Sequence, residues 1–343
     1  MRAAVLTDPG EFELRERARP DPAPDEVLVR IRRVGVCGSD VHYYEHGRIG
    51  DYVVEDPLVL GHESAGEVVA VGEAVDSLEP GARVTLEPGV PCRRCPHCKR
   101  GSYHLCPDVT FMATPPHDGA FVEYVAWPAD FVYELPDSVS LGEGALCEPL
   151  SVGIHACRRG GVAPGDSVLV TGAGPIGLLA ADAARVAGAT TVLVTDVVPE
   201  KVARAERRGA DQAVDVTEVD LGAVVDEHTD GVGVDVVVEA SGATASIQSA
   251  LDGVRRGGTV VFVGLAPEAE VPIDVLDIVD GELDVHGSFR YANTYPAAVD
   301  LLAQGAVDVA GLVDAEHSLD DVDGAFQRAT APDVVKVMVT LDR

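Results

Sequence analysis

The sequence predicts an α/β protein that combines a β-rich part with a doubly wound parallel sheet. In residues 1 to about 150, short apolar runs such as residues 26–31 and 82–86 alternate with proline and glycine turns, which is typical of short strands. From about residue 160 the runs become continuously apolar, as in residues 167–170, and an alanine-rich helical stretch follows at residues 178–186. Buried strands that alternate with helices indicate βαβ units and a parallel sheet.

The alternation continues along the chain and then gives way to a mixed pattern. Apolar runs recur at residues 191–194, 234–238 and 259–263. Beyond about residue 287 we expect a helix near residues 296–303 and a final β run at residues 334–339. A chain of 343 residues is long enough for two domains, or three.

The composition argues against several classes of protein. Apolar residues make up 46% of the chain and charged residues 24%, which are ordinary values for a globular protein. No stretch approaches the roughly 20 apolar residues of a membrane span. The N-terminus turns polar at Thr7 and Asp8, too early for a signal peptide. We therefore expect neither a membrane protein, nor a secreted disulfide miniprotein, nor a disordered chain.

The net charge of −31 is unusual. It arises from 57 acidic against 26 basic residues, and only Lys99, Lys201 and Lys336 among the basic residues are lysines. A field of this sign repels nucleic acid and anionic membranes, so we expect neither as a partner. Scarce lysine with abundant aspartate favours adaptation to molar salt, where screening suppresses self-repulsion, over an ordinary acidic cytosolic protein.

The cysteines predict a structural metal site. Seven are present, an odd number, and four of them follow the spacing Cys92-x2-Cys95-x2-Cys98-x7-Cys106. Without a signal peptide, this pattern favours metal ligation in the reducing cytoplasm over a disulfide framework. Four thiolates this close together, with no carboxylate among them, are typical of a closed, structural zinc site. The alternative is a set of four incidental free thiols.

A glycine-rich turn predicts a dinucleotide site. The run at residues 168–170 leads into Gly172, Gly174 and Gly177, which fit G-x-G-x-x-G and precede a helix. The first glycine permits a tight turn, the second lets the backbone approach the pyrophosphate, and the third allows close helix–strand packing. Asp196 ends the next apolar strand, about where an acid binds the adenosine ribose. The alternative is a glycine-rich turn in another α/β fold with an incidental aspartate.

Asp196 also bears on the choice of cofactor. A carboxylate there accepts hydrogen bonds from a ribose diol and repels a 2′-phosphate, so we expect NAD rather than NADP. Lys201 and Arg204 follow on the next helix and could offset part of that repulsion.

A second metal site is predicted around Cys37 and His62. Both stand near a strand end or turn, in the contexts Cys-Gly-Ser-Asp and Gly-His-Glu. A thiolate and an imidazole are zinc ligands, and a catalytic site needs a third ligand and an open position. From the residues alone, the third ligand is Glu63 or Glu148, with the neighbouring Cys147 as a further option.

At these residues the chain resembles the zinc-dependent medium-chain dehydrogenases, and among them the sorbitol/xylitol (polyol) dehydrogenases. The resemblance extends over essentially the full length. It is carried by residues 37–44, 61–63, 113–119, 148–157 and 289–294. The Glu-Pro-Leu-Ser-Val and Phe-Arg-Tyr segments are typical of the polyol branch, since alcohol dehydrogenases of the family usually have cysteine at the position of Glu148.

The resemblance implies a fold and its domains. A GroES-like β-rich catalytic domain would comprise residues 1–150 and be completed by residues 287–343. A Rossmann domain would comprise residues 151–286. The cleft between the two would hold zinc, substrate and nicotinamide, and such enzymes are commonly homotetramers joined through their Rossmann domains.

The resemblance also implies roles for individual residues. Cys37, His62 and Glu63 would hold the catalytic zinc, with Glu148 close to the metal directly or through water, and Ser39 would relay the proton. The residues that would face the substrate are Tyr43, Phe111, Glu148, Arg290 and Tyr291. The residues that would contact the cofactor are Gly172, Gly174, Pro175, Ile176, Gly177, Asp196, Lys201, Gly264, Leu265, Phe289 and Arg290.

Together these expectations describe an enzyme that transfers hydride from a secondary hydroxyl of a polyol to NAD and forms a ketose. One alternative is a sibling zinc dehydrogenase that acts on threonine, butanediol or an aldose such as glucose. A more distant alternative is a non-catalytic binding or structural protein that has kept the same fold.

Overall fold

The chain folds into two compact units. A computed structural model describes residues 1–266 and 270–342. The first unit contains Met1–Glu148 together with the chain from Tyr295 onward, and the second unit contains Pro149–Thr294.

The unit boundaries differ by a few residues from those expected near residues 150 and 287. The second boundary lies later because the segment after residue 287 stays bonded to the second unit, where Arg158 Nη1 donates to the Asn293 carbonyl oxygen at 2.9 Å. Residue 343, the expected end of the first domain, lies outside the described residues.

The first unit is built mainly from strands. Its strands are β1 (Arg2–Asp8), β2 (Glu11–Glu16), β3 (Glu26–Gly35), β4 (Arg48–Ile49), β5 (Tyr52–Val53), β6 (Leu58–Val59), β7 (Glu63–Val71), β8 (Arg83–Leu86), β9 (Gly89–Val90), β10 (Thr110–Phe111), β11 (Tyr124–Pro128), β12 (Val132–Glu134), β19 (Val313–Ser318) and β20 (Lys336–Thr340). Its helices are α1 (Gly38–His46), α2 (Pro96–Lys99), α3 (Leu141–Ala145), α10 (Tyr295–Ala303) and α11 (Val322–Ala329).

The main sheet of the first unit brings distant parts of the chain around β3. Its strand order is β12-β8-β7-β3-β20-β19, with β11 also paired to β3. β3 forms because its valine and isoleucine side chains fit a pleated, buried surface, and Val29 and Ile31 are fully buried. It runs antiparallel to β7 and β20, and the register sets Gly35 opposite both Glu63 and Met338. The first residues of β7 and β20 therefore lie beside the last residues of β3.

The second unit alternates strands and helices. Its strands are β13 (Ser167–Thr171), β14 (Thr191–Asp196), β15 (Gln212–Asp215), β16 (Val234–Glu239), β17 (Val254–Phe262) and β18 (Asp284–Gly287). Its helices are α4 (Cys147–Gly160, which starts in the first unit), α5 (Pro175–Ala187), α6 (Pro199–Arg207), α7 (Leu221–Thr229), α8 (Thr244–Ser249) and α9 (Val275–Gly281). No helix in the described residues is both long enough and apolar enough to cross a membrane.

The strands of the second unit form the predicted parallel sheet. Among the described residues their order is β15-β14-β13-β16-β17-β18, and every neighbouring pair is parallel. Val168, Leu169 and Val170 of β13 are fully buried, which confirms the buried strand expected there. The strand order reverses at β13, and ligands of open α/β sheets bind at such a point, beyond the carboxyl ends of the strands.

Candidate metal centres and cofactor site

Three ligand-type side chains meet where β3 ends and β7 begins. Ligand atoms of Cys37, His62 and Glu63 all lie within 4.8 Å of one another. Glu63 is fully buried and His62 is 6% exposed. Gly61 turns the chain just before them with φ +90°, and a Cβ at this position would collide with Val34 and the Phe121 ring. A thiolate, an imidazole and a carboxylate are a donor set that fits zinc and leaves the fourth position open to substrate.

A buried aspartate that sequence reasoning did not assign organises this group. Asp40 Oδ2 accepts a hydrogen bond from the Cys37 N–H at 3.1 Å, and Oδ1 accepts one from the Gly61 N–H at 3.0 Å. Oδ1 also lies 3.4 Å from His62 Nδ1. A ligand histidine is usually oriented by a carboxylate in this way. The signal for Asp40 in the sequence is its position three residues after Cys37, at the start of a helix.

The charges around His62 favour a cation. Burial disfavours the imidazolium, but the negative charges of Asp40 and Cys37 outweigh this effect and raise the pKa of His62 well above its usual value. A field that favours a proton on His62 favours a metal cation for the same reason.

A second residue without a predicted role, Lys336, lies against Glu63. Its Nζ donates to the two carboxylate oxygens at 2.7 and 2.9 Å and to the Val36 carbonyl oxygen at 3.1 Å. Burial lowers the pKa of this lysine, but the charges of Glu63 and Cys37 outweigh it and raise the pKa above the ordinary value. Lys336 is therefore charged at neutral pH.

The three candidates for the third ligand differ in their position and burial. Within the described residues, the group that contains Cys37 and His62 includes Glu63 and neither Glu148 nor Cys147. Cys147 is completely buried, and this burial raises the pKa of its thiol to about 12, so it is a neutral thiol rather than a thiolate at neutral pH. Glu148 is 4% exposed and close enough for its charge to raise the pKa of Lys336.

The other predicted catalytic and substrate residues are divided between the units. Ser39 is half-buried in the first turn of α1, and Tyr43 is buried one turn later. The Phe111 ring lies 5.6 Å from the His62 ring, centroid to centroid. Arg290 and Tyr291 belong to the second unit.

The four clustered cysteines form the second metal-ligand group. Cys92, Cys95, Cys98 and Cys106 have Sγ atoms within 4.8 Å of one another, with Cys95 and Cys98 only 3.3 Å apart. Backbone N–H groups point at these sulfurs: the N–H of Cys92 donates to Cys106 Sγ and that of Cys95 to Cys92 Sγ. The N–H of Arg94 is the main cause that lowers the pKa of Cys92 to about 7. Four sulfurs with no other donor fit a closed zinc site.

A buried carboxyl group ties the four-cysteine loop to the sheet. Glu87 is 1% exposed, and Tyr103, which lies inside the loop, donates its hydroxyl hydrogen to Oε1 at 2.6 Å. Tyr133 donates to Oε2 at 2.9 Å, and Trp127 Nε1 donates to the Glu87 carbonyl oxygen at 2.8 Å. Burial raises the pKa of Glu87 to about 7 although the two tyrosines partly oppose this.

Glu87→Gln is expected to remove one pH-dependent contribution to stability. Because the pKa of Glu87 rises from 4.5 to about 7 on folding, its neutral form stabilises the fold fully below pH 4.5, and this contribution is lost as the pH rises through about 7. Between about pH 4.5 and pH 7, the wild type should therefore lose stability relative to the variant, by on the order of 3 kcal/mol in total, and the difference should level off above about pH 7.

Thermal unfolding of both proteins across this pH range measures the effect. Glu134→Gln is the matched control, because Glu134 is exposed on the neighbouring strand β12 and its replacement should leave the pH dependence unchanged. A difference between Glu87→Gln and the wild type that stays constant with pH would contradict the role given to Glu87.

The glycine-rich turn has the geometry that a dinucleotide requires. Gly172 has φ +98°, and a Cβ on Gly177 would collide with the Gly172 carbonyl oxygen. Pro175 and Ile176 open helix α5, so the first N–H groups of the helix face the turn. Asp196 ends β14, and its Oδ2 accepts a hydrogen bond from the Ala173 N–H at 2.7 Å.

The remaining predicted cofactor residues lie beyond the carboxyl ends of the strands or on α6. Gly264 and Leu265 follow β17, and Leu265 is 57% exposed. Phe289 follows β18, is 47% exposed, and carries the Arg290 guanidinium 4.7 Å above its ring. Lys201 lies in the first turn of α6, five residues after Asp196. Exposed apolar side chains at this edge of the sheet suit a nicotinamide dinucleotide.

Comparisons with known proteins agree with this geometry. The family profile described as an alcohol dehydrogenase GroES-like domain matches residues 23–137, and the profile described as a zinc-binding dehydrogenase matches residues 175–304. The chain is 48% identical to a sorbitol dehydrogenase of Bacillus subtilis over 345 residues, covering 100% of this chain and 98% of the relative. It is 45% identical to a sorbitol dehydrogenase of Gallus gallus over 343 residues, covering 99% and 96%.

A solved structure shows the same architecture. An oxidoreductase/dehydrogenase of unknown specificity from Escherichia coli matches with a TM-score of 0.96 and 38% identity, covering 100% of this chain and 99% of that one. Together with the GroES-like profile and the parallel sheet, this match confirms the predicted fold class.

Proposed function

Because this chain belongs to the zinc-dependent medium-chain dehydrogenases, we propose that it oxidises a secondary hydroxyl of a polyol such as sorbitol or xylitol to a ketose, with NAD as the hydride acceptor. The observation that carries the proposal is the group of Cys37, His62 and Glu63, whose ligand atoms lie within 4.8 Å of one another. Full-length similarity to sorbitol dehydrogenases supports the substrate class.

Each protein group has a defined part in this reaction. Bound zinc would lower the pKa of the substrate hydroxyl, and the nicotinamide would accept the hydride. Cys37, His62 and Glu63 would hold the metal, and Asp40 keeps the His62 ring oriented through Nδ1. Ser39 Oγ would accept the proton released from the hydroxyl and pass it toward solvent, since Ser39 is half-buried beside Cys37. The burial of His62 and Glu63 keeps water from competing for the metal.

The second unit supports NAD as the cofactor. The pyrophosphate would be bound by N–H groups at the start of α5, and Asp196 would accept hydrogen bonds from the adenosine ribose. Asp196 Oδ1 already accepts hydrogen bonds from the N–H groups of Val197 and Val198, which fixes the carboxylate in the position that would repel a 2′-phosphate.

Asp196→Ala is expected to narrow the preference for NAD over NADP by about 10- to 100-fold, because it removes the repulsion between a carboxylate and a phosphate. The measurement is kcat/KM for both cofactors. Asp196→Asn is the companion variant, since it loses the charge but keeps an acceptor for the Ala173 N–H. A wild-type enzyme with the higher kcat/KM for NADP would contradict the assignment.

The second unit also supports assembly into a homotetramer in the cytoplasm. In the described residues, β18 is the last strand of the parallel sheet, so its outer edge can pair with another strand. Helix α9, which packs on β17, exposes Val275, Leu276 and Val279 by 62%, 70% and 63%. A patch of this kind is typical of protein interfaces. The seven cysteines are all free, as in a reducing compartment.

The proposal is tested by zinc content and NADH formation on a panel of substrates. We expect about two zinc ions per chain and NADH formation with at least one of sorbitol, xylitol or a related alditol. Turnover only with threonine, butanediol or glucose would replace the polyol by one of those substrates. A protein that binds neither zinc nor NAD would be a non-catalytic member of the fold.

A further inference from the structure

Lys336 joins the two chain segments that carry the catalytic ligands, although it comes from the last strand of the chain. Its ammonium group has three N–H donors. Two of them reach the carboxylate oxygens of Glu63, and the third reaches the Val36 carbonyl oxygen. Val36 precedes Cys37 and Glu63 follows His62, so a single side chain links both segments.

The burial of this pair separates it from the ion pairs of the surface. The side chains of Lys336 and Glu63 are 1% and 0% exposed. A single charge in such a place costs several kcal/mol, so neither group is tolerated there without the other. The position follows from the sheet, because β7 and β20 are both hydrogen-bonded to β3.

The composition makes a lysine at this position informative. Only three of the 26 basic residues are lysines, and of these Lys99 is exposed, Lys201 is half-buried and Lys336 is buried. An ammonium is a compact point charge whose donors can reach three acceptors arranged around it, whereas a guanidinium is planar and larger. Lys336 Nζ contacts three such acceptors, two on Glu63 and one on Val36, so its contacts suit an ammonium rather than a guanidinium.

We propose that Lys336 is a positioning residue for the catalytic zinc, which holds the Glu63 carboxylate toward Cys37 and His62 and offsets its negative charge. Zinc with two anionic ligands is formally neutral, and the Lys336 ammonium balances the buried Asp40 carboxylate that lies beside His62. Without the ammonium the site would be net negative, which would disfavour the deprotonated form of a substrate hydroxyl. The inference rests on the proposed catalytic zinc and is independent of which alcohol is oxidised.

The test is Lys336→Met in the full-length enzyme, with Arg256→Met, near the start of β17, as the control that removes one exposed positive charge. Zinc affinity is measured by competition with a chromophoric chelator, and the ligand geometry by the absorption bands of the cobalt(II)-substituted protein. In Lys336→Met we expect one of the two zinc ions to bind about 10- to 100-fold more weakly and the cobalt bands of that site to shift. NADH binding to the folded protein should be unchanged, and Arg256→Met should resemble the wild type in every measurement.

A merely structural role would give a different result. If Lys336→Met lowers the Tm but keeps wild-type zinc affinity and cobalt bands, the inference is overturned. If that variant does not fold, Lys336→Gln, which keeps a donor for Glu63 but loses the charge, takes its place, and zinc affinity and cobalt bands equal to those of the wild type would overturn the inference there. A wild-type enzyme that holds two zinc ions but oxidises no polyol would contradict the proposed function alone.

Discussion

Cys37→Ser is expected to abolish turnover and leave the fold intact. A hydroxyl is a far poorer zinc ligand than a thiolate, and losing several kcal/mol of charge stabilisation at the metal lowers kcat by at least about 1,000-fold. Cys37 is the N-cap residue of α1, a position where serine is also favoured, so the helix should still form. Steady-state kinetics measures the loss of turnover, zinc content the weakened metal site, and thermal unfolding the intact fold.

Cys95→Ser is the matched comparison, because it makes the same chemical change in the four-cysteine group. Loss of a structural zinc ligand removes folding free energy, so this variant should lose about one zinc ion per chain and unfold at a lower temperature. The molecules that remain folded should retain turnover. If the two variants behave alike in both stability and activity, the assignment of one catalytic and one structural site is wrong.

The sequence predicts best what is contained in short segments. Cys92 to Cys106 and Gly172 to Gly177 each lie on one turn or loop, so spacing alone constrains their geometry. The structure brings the four sulfurs together and gives Gly172 its positive φ. The parallel sheet was predictable for a similar reason, since a continuous apolar run such as residues 168–170 signals a strand buried on both faces.

Contacts that depend on strand register were not predictable. Lys336 meets Glu63 only because β20 and β7 flank β3 with Gly35 opposite both, and no local pattern encodes that register. Asp40 had a local signal but no visible partner, because its bond to the Gly61 N–H crosses between two segments.

The choice among the candidate zinc ligands also depends on tertiary contacts that the sequence does not reveal. Glu63, Cys147 and Glu148 all carry suitable donor atoms, and spacing does not say which way each side chain points. Packing supplies what spacing lacks: burial keeps Cys147 a neutral thiol, whereas Glu63 lies close to Cys37 and His62, which favours Glu63 as the proposed third ligand. Glu87 is a further case, since its two tyrosine partners come from different segments of the chain.

Activity and quaternary structure are expected to depend on molar salt. The chain carries 31 more negative than positive charges. Arginines already engage part of the acidic surface, as in the pairs Arg17–Asp118 and Arg33–Asp342, so few cations remain to offset the excess carboxylates. At about 0.01 M salt the Debye length is roughly 30 Å and carboxylates across the surface repel one another, whereas at 1 M it is about 3 Å. Dilution into low salt should therefore inactivate the enzyme and dissociate the proposed tetramer.

The measurement is activity and sedimentation against KCl from about 0.05 to 3 M, a range over which the Debye length falls from well above to below the spacing of neighbouring charges. If screening is the cause, NaCl should replace KCl at equal ionic strength, and sucrose at equal osmolality should not. A specific requirement for potassium would instead point to a bound ion. An enzyme that is fully active and fully assembled at the low end of the range would show that its acidic surface is not an adaptation to salt, because the repulsion that salt must screen would then be too weak to matter.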